Sequence, residues 1–413
     1  MNDLEAGPLS EAAVLTQALV RIDSSDPGAC EGEVESFVRD WLAAQLEEAK
    51  QRAVSGEARL QLGRVLLEEL EALPGRRCLR LRIPDHEEGA GGICLLAHMD
   101  TVVAGEGWPA ETGAFSGVVR DGQLYGRGSC DMKGGLACAM LAFASALGRV
   151  AEGDGLPSRS LSLVCTVDEE DFMRGIEAAI SAGWVGATDW VQDIEPTGGS
   201  IRMAHKGRTW FELDVSGVTA HASTPWKGAD AIAGMAEAIC RIRRRVGELA
   251  EHPALGRSTV TFGQVEGGYR PYVVPDSCHA TVDMRLVPPA GSELARRIVR
   301  ESMAEAEEAV SGTSGSWRVT GDRPPLEGHP LSPFLARLQR AYREATGHEA
   351  EMDVFTGYTD GAVVAGLCHN DNCLSYGPGE LEMAHKPNEH VALADLERVQ
   401  GVLVALLRSA WEE

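Results

Sequence analysis

Hydrophobic positions along the chain recur with two different periods, and the alternation between them sets the expected fold. Residues 10–50 carry apolar side chains at helical spacing, and the charged stretch 51–72 continues that period. Short apolar runs bounded by Gly, Pro and Asp follow at 92–97 (GICLLA), 161–167 (LSLVCTV) and 190–194 (WVQDI), each with the pattern of a buried strand. A helical pattern over 136–149 separates the first two. Strands separated by helices predict βαβ units, and so an α/β fold with a mostly parallel sheet.

The middle of the chain changes character. Residues 209–215 alternate with period two, and Ile232, Met235, Ile239, Ile242, Val246 and Leu249 then line one helical face. Strand patterns at 259–265 and 280–286, a helix over 293–310 and a short strand near 316–319 complete the order β-α-β-β-α-β, that of a ferredoxin-like split βαβ sandwich. The expected organisation is a discontinuous main domain, 1–206 and 322–413, interrupted by an inserted α+β domain at 207–321. The main domain resumes with a helix over 333–346, a Gly-rich segment and a closing helix over 395–411.

Composition narrows the class. The chain has 413 residues, 44% apolar and 24% charged, close to a globular average and long enough for two or three domains. Lys+Arg number 38 against Asp+Glu 62, a net charge of −24, which argues against nucleic acid and against an anionic membrane surface. The basic run 241–245 is expected to be a solvated helix face. The start, MNDLEAGPLSEAAV, has neither a basic nor an apolar leader region, and no run approaches the roughly 18 apolar residues of a spanning helix. Ten scattered cysteines without a C-x-x-C pair predict a reduced, cytoplasmic protein.

Candidate chemistry falls at the ends of the three buried strand runs. The first ends in His98-Met99-Asp100, the second in Asp168-Glu169-Glu170 and the third in Glu195-Pro196. Open parallel sheets bind ligands beyond the carboxyl ends of their strands. Asp131, in GRGSCDMKGG, and His385, in AHKPNEH, add two more donors, and Asp193 competes with Glu195 for one place. Two His and several carboxylates suit borderline divalent ions, zinc first, with manganese or cobalt as alternatives. Five donors and a spare carboxylate exceed what one ion needs. They fit two ions about 3.5–4 Å apart that share a water, with the spare carboxylate as general base.

Several stretches together resemble the cocatalytic zinc peptidase/deacylase family of acetylornithine deacetylase, succinyl-diaminopimelate desuccinylase, aminoacylase-1 and carboxypeptidase G. They are LLAHMDTVVAGEGW (95–108), DGQLYGRGSCDMKGG (121–135), TVDEEDFMRG (166–175), EPT (195–197), SGVTAHASTPWKGADAI (216–232), VVPDSCHATVDMR (273–285) and YGPGELEMAHKPNEH (376–390). The resemblance implies that His98 and His385 each bind one of two zinc ions, that Asp131 bridges them, and that Glu170 and Glu195 complete their shells. It makes Glu169 the general base, with a hydroxide generated between the ions as nucleophile. Asp100 would hydrogen-bond the His98 ring, and His221 would stabilise the oxyanion, often in the partner subunit of a homodimer. Arg285 would take a substrate carboxylate, and Gly377 and Gly379 would offer backbone near the site.

The implied activity is amide hydrolysis of a small N-acyl amino acid, deacetylase- or desuccinylase-like. Dipeptidase or carboxypeptidase action on a short peptide is the alternative, and a non-catalytic binding module on the same scaffold ranks below both. Three features depart from the family pattern: Tyr272 where many members have Asn, Ala362 where many have Arg, and the helical stretch at 45–72, which looks inserted.

Overall fold

The computed structural model describes residues 8–86, 91–355 and 357–412, so the first seven residues of the N-terminal segment lie outside the described part. The chain forms two compact units, one comprising Met1–Met203, His329–Asp353 and Thr359–Glu413, the other Ala204–Gly328 and Val354–Tyr358.

The principal strands are β1 (Leu66–Leu73), β2 (Arg76–Ile83), β3 (Ile93–His98), β4 (Leu161–Thr166), β5 (Trp190–Asp193), β6 (Ile201–His205), β7 (Arg208–Ser216), β8 (Thr259–Gly267), β9 (Ser277–Arg285), β10 (Ser314–Arg323), β11 (Met352–Phe355) and β12 (Cys373–Ser375). Eight of them form one sheet in the order β11-β6-β12-β5-β3-β4-β2-β1. Its centre, β12-β5-β3-β4, is parallel throughout. Around that centre β2 runs antiparallel to β4 and to β1, and β6 antiparallel to β12. The sheet is therefore mixed, and the expectation of a mostly parallel sheet holds only for its middle. The reason is local: β1 and β2 are joined through Pro74-Gly75, with Gly75 at φ 74, and such a hairpin adds its strands antiparallel.

The same hairpin corrects the reading of 51–72 as one helical stretch. Helix α2 (Gly32–Arg52) ends there, α3 (Gly56–Leu62) is a short separate helix capped by the Ser55 side chain, and residues 66–73 are strand. Leu and Glu favour helix in isolation, but pairing along β2 at the sheet edge overrides a preference worth only tenths of a kcal/mol per residue. The part of the 45–72 stretch beyond α3 thus forms an edge strand.

Strands β3 and β4 are buried at every position, which is why their sequences run apolar without alternation. Helix α4 (Lys133–Glu152) packs on both of them, and also on α1 (Glu11–Val20), α2, α3 and α10 (Leu393–Arg408). Contrary to the sequence expectation, α4 is long and apolar enough to cross a membrane by length and composition. Yet 72% of its most apolar window is buried inside the fold, as in the core helix of a globular domain. Its first turn needs glycine, since a Cβ on Gly135 would lie 2.4 Å from the Ile194 carbonyl oxygen.

The second unit has the order β7-α6-β8-β9-α7-β10, with α6 at Ala231–Gly247 and α7 at Ser292–Ala309. Its sheet runs β8-β9-β7-β10 with every neighbouring pair antiparallel. Met235, Ile242 and Val246 of α6 bury against Phe211, Leu213, Val282 and Met284 of the sheet and Ile298 and Val299 of α7. The unit extends beyond the expected 207–321 and also takes in Val354–Tyr358. There Val354 packs on Ala204, Leu255 and Val287, and Phe355 stacks on His205.

Candidate metal centre and active site

The parallel centre of the large sheet brings the predicted donors together at its carboxyl edge. His98 is the last residue of β3, Glu169 and Glu170 follow β4, and Glu195 follows β5. Asp131 lies in the glycine-rich loop before α4, and His385 in the segment after β12. The two carboxylate oxygens of Asp131 face opposite ways. Oδ1 lies 3.2 Å from His98 Nε2, and Oδ2 lies 3.3 Å from His385 Nε2. Glu170 Oε2 is 3.0 Å from the same His385 nitrogen, and Glu195 Oε1 is 4.0 Å from His98 Nε2. One ligand atom each from His98, Asp131 and Glu170, and likewise from His98, Glu169 and Glu195, fall within 4.8 Å of one another. That donor set suits divalent cations, and the two-sided placement of Asp131 suits a pair of them.

The electrostatics agree with a cation site. Burial pushes the Glu169 carboxyl well above its usual range, and it does the same to Glu195, where the charges of Asp131 and Glu169 add to the effect. Burial works to lower the His98 imidazole, but the hydrogen bond to Asp131 and the surrounding carboxylates hold it well above its ordinary value. Hydrogen bonds to Asp131 and Glu170 push His385 up to about 11. A concentration of buried carboxylates of this kind favours positive charge in its midst. Glu169 Oε1 is buried and has no hydrogen-bond partner among the described residues.

Asp100 meets the His98 ring through its main chain and not through its carboxylate. Its backbone carbonyl, at 3.0 Å, meets His98 Nδ1, whereas its carboxylate stands 3.7 Å away. The carboxylate instead accepts the backbone N–H groups of Glu169 and Glu170 at 3.2 and 3.0 Å, and so holds the turn that carries both. A carbonyl serves as well as a carboxylate for fixing the imidazole tautomer. The rival donor Asp193 is otherwise engaged, accepting the Gly361 N–H at 2.8 Å. Gly377 presses on the third strand end, since a Cβ there would lie 2.5 Å from the Ile194 carbonyl oxygen and 2.6 Å from that of Glu195. Gly379, at φ 85, packs on Cys130, and its carbonyl accepts the Gly198 N–H at 2.8 Å.

Sequence reasoning missed several supporting residues. Arg76 of β2 bonds Glu31 and Asp26, and with Arg174 it meets Asp168, the first residue of the Asp-Glu-Glu turn. Asp360 accepts from Thr166 Oγ1 at 2.5 Å, and burial raises its carboxyl well above the usual range. Glu389 and Arg127 form an ion pair with both side chains almost fully buried. Arg127 and Glu389 lay inside quoted motifs, GRG and NEH, but only the tertiary fold reveals their partners.

His221 and Arg285 belong to the second unit. His221 is exposed, and its Nδ1 lies 2.8 Å from the Ser223 hydroxyl and 3.2 Å from the Ser223 backbone N–H. Arg285, at the end of β9, forms a two-pronged ion pair with Asp283, Nε to Oδ1 at 2.7 Å and Nη2 to Oδ2 at 2.9 Å. Asp283 also accepts from Trp210 Nε1 at 3.0 Å.

Comparison with known proteins agrees with this architecture. The model of peptidase family M20/M25/M40 matches residues 94–409. Over 346 residues the chain is 29% identical to the acetylornithine deacetylase of Edwardsiella ictaluri, covering 82% of this chain and 85% of the relative. Over 333 residues it is 29% identical to a probable carboxypeptidase of Aspergillus terreus, covering 77% and 71%. The crystal structure of aminopeptidase PepT from Bacillus cereus shares the fold, with a TM-score of 0.74 at 21% identity over 97% of this chain and 99% of that one. The chain belongs to peptidase family M20/M25/M40 and is a metal-dependent hydrolase.

Proposed function

We propose that the protein hydrolyses the amide bond of a small N-acyl amino acid, with deacetylase- or desuccinylase-like action. The observation that carries this reading is the Asp131 carboxylate, set between His98 and His385 with the unpartnered Glu169 oxygen in the same buried cluster. His98, Asp131 and Glu195 would hold one divalent ion, and His385, Asp131 and Glu170 the other. Zinc ranks first, with cobalt or manganese as alternatives. When bound, such ions acidify water and polarise the amide carbonyl.

The chain's own residues supply the rest. Glu169 takes a proton from the attacking water and returns it to the leaving amine. Asp100 fixes the turn carrying that base. His221 presents Nε2–H as a donor for the developing oxyanion. Arg285 offers a planar fork to the substrate carboxylate, with Asp283 holding that fork until substrate competes for it. The inserted unit is proposed to act as a lid and homodimerisation domain. The ten unpaired cysteines support a reducing, cytoplasmic location.

The competing reading is a dipeptidase or carboxypeptidase, favoured by the similarity to the probable carboxypeptidase. Amine release from a panel of N-acetyl, N-succinyl and N-aminoacyl amino acids, with zinc, manganese or cobalt added, separates the two. Metal-dependent release from N-acetyl or N-succinyl substrates supports the deacylase. Release from N-aminoacyl substrates alone transfers the assignment to the peptidase.

A further inference from the structure

Glu389 lies four residues after His385, and its carboxylate reaches the main chain of Asp131. It is 1% exposed, and its carboxylate is fully engaged. Oε1 accepts two backbone N–H groups, from Cys130 at 3.0 Å and from Asp131 at 3.1 Å. Oε2 accepts from Arg127 Nη1, and Arg127 is itself buried and donates through Nη2 to the Ala104 carbonyl at 3.2 Å. The Glu389 backbone carbonyl accepts the Gly126 N–H at 2.9 Å. The segment 385–390 is thereby strapped to the loop 126–131 by both backbone and side chain. Those two segments carry His385 and Asp131, the pair whose side chains meet at 3.3 Å.

A charge in this place needs an explanation beyond stability. It adds another carboxylate to a region already crowded with Asp131, Glu169 and Glu195, and a buried ion pair often contributes no more than well-packed apolar residues of similar volume. What a carboxylate does there, and an apolar side chain does not, is hold two successive N–H groups and thereby the orientation of the Asp131 main chain. The segment it anchors is not relaxed backbone, since His385 and Asn388 take φ values of 62° and 67°.

We propose that Glu389 is a positioning residue that sets the spacing of Asp131 and His385, and through it the affinity for the ion these two share. The proposal rests on the reading of Asp131 and His385 as metal ligands. Outer partners of metal ligands typically affect affinity by about 10–100-fold.

The test uses the full-length protein and zinc. Dissociation constants for both ions are measured by chelator competition in wild type, Glu389→Gln, Glu389→Asp and Asp131→Asn, with circular dichroism to establish folding. Glu389→Gln keeps the side-chain length but loses the charge that answers Arg127. Glu389→Asp keeps the charge but is too short to serve Arg127 and both N–H groups. Each is expected to weaken one of the two zinc ions, that shared by Asp131 and His385, about 10–100-fold. With excess zinc kcat should recover, and KM should stay within a few-fold of wild type. Should Glu389→Gln fail to fold, Glu389→Asp decides. Folded variants with zinc constants within twofold of wild type, even at a lowered Tm, would give Glu389 a merely structural role and overturn the proposal. If Asp131→Asn still binds two ions as wild type does, the metal-ligand reading fails and the proposal with it. If Asp131→Asn loses ions while the Glu389 variants keep them, the proposal alone fails.

Discussion

The carboxyl edge of the parallel strands and the exposed residues of the inserted unit handle polar groups in opposite ways. At the strand ends and in the adjoining glycine-rich loop, His98, Asp100, Glu169, Glu195 and Asp131 are all buried, with His98 Nε2 3.2 Å from Asp131 Oδ1 and 4.0 Å from Glu195 Oε1. In the inserted unit, His221 is exposed and Arg285 is half-buried, and each is held by a neighbour two residues away, Ser223 and Asp283. The first arrangement is rigid and costly without cations, because isolated buried carboxylates are strongly disfavoured. The second is inexpensive, solvated and adaptable. The proposed function makes this a division of labour, in which the buried edge would fix the reacting atoms and the exposed residues would meet substrate and developing charge.

The sharpest challenge to that division is Glu169→Gln, which should retain both ions and lose about 10²–10⁴-fold in kcat, the range for a general base. A near-native rate measured at saturating metal would remove Glu169 from that role. His221→Ala should lower kcat by about 10²-fold, the scale of one oxyanion donor. Its metal content, read by atomic emission, should not change, and a loss of metal would make His221 a ligand instead. Arg285→Lys should raise KM for a carboxylate-bearing substrate by about tenfold, close to one charge-assisted hydrogen bond, and leave kcat nearly intact. An unchanged KM would assign the carboxylate to another group.

The smallest effect concerns pH. Burial holds Asp193 up to about 6 and Asp100 up to about 7. A group raised in the folded state contributes stability that is present below its unfolded pKa and lost as pH rises through its folded pKa. For these carboxyls that window runs from about pH 4 to about pH 7. The raised His385 imidazole works in the same direction at higher pH. The Tm of chelated protein should therefore fall across the window, and its distance below that of metal-loaded protein should widen by several degrees. A gap that stays constant from pH 5 to pH 8 would mean that the buried carboxylates are not what the ions compensate.

Much of this was legible in the sequence. The buried strands showed as uninterrupted apolar runs, and the donors stood at their ends because an open sheet presents its carboxyl edge to ligands. The alternation of the inserted unit survived because its strands have one packed face and its helices one apolar stripe. What was illegible depended on long-range pairing. Leu66–Leu73 has a helix-forming composition and becomes strand only because β2 lies alongside it. Helix α4 is apolar enough for a membrane, and its packing partners come from both ends of the chain. Glu389 and Arg127 are ordinary charged residues until the fold closes around them, and the partner that Asp100 offers His98 is a backbone carbonyl, which no side-chain motif encodes.

If the buried Asp131 carboxylate joins two ion sites required for amide hydrolysis, titrating metal into chelated protein, while counting bound ions and following amine release from the best N-acyl substrate, should give two ions per chain. Activity should reach its maximum as the second ion binds, and both features should be lost in Asp131→Asn. Full activity in thoroughly chelated protein, or two ions bound and full activity in Asp131→Asn, would remove Asp131 from that place.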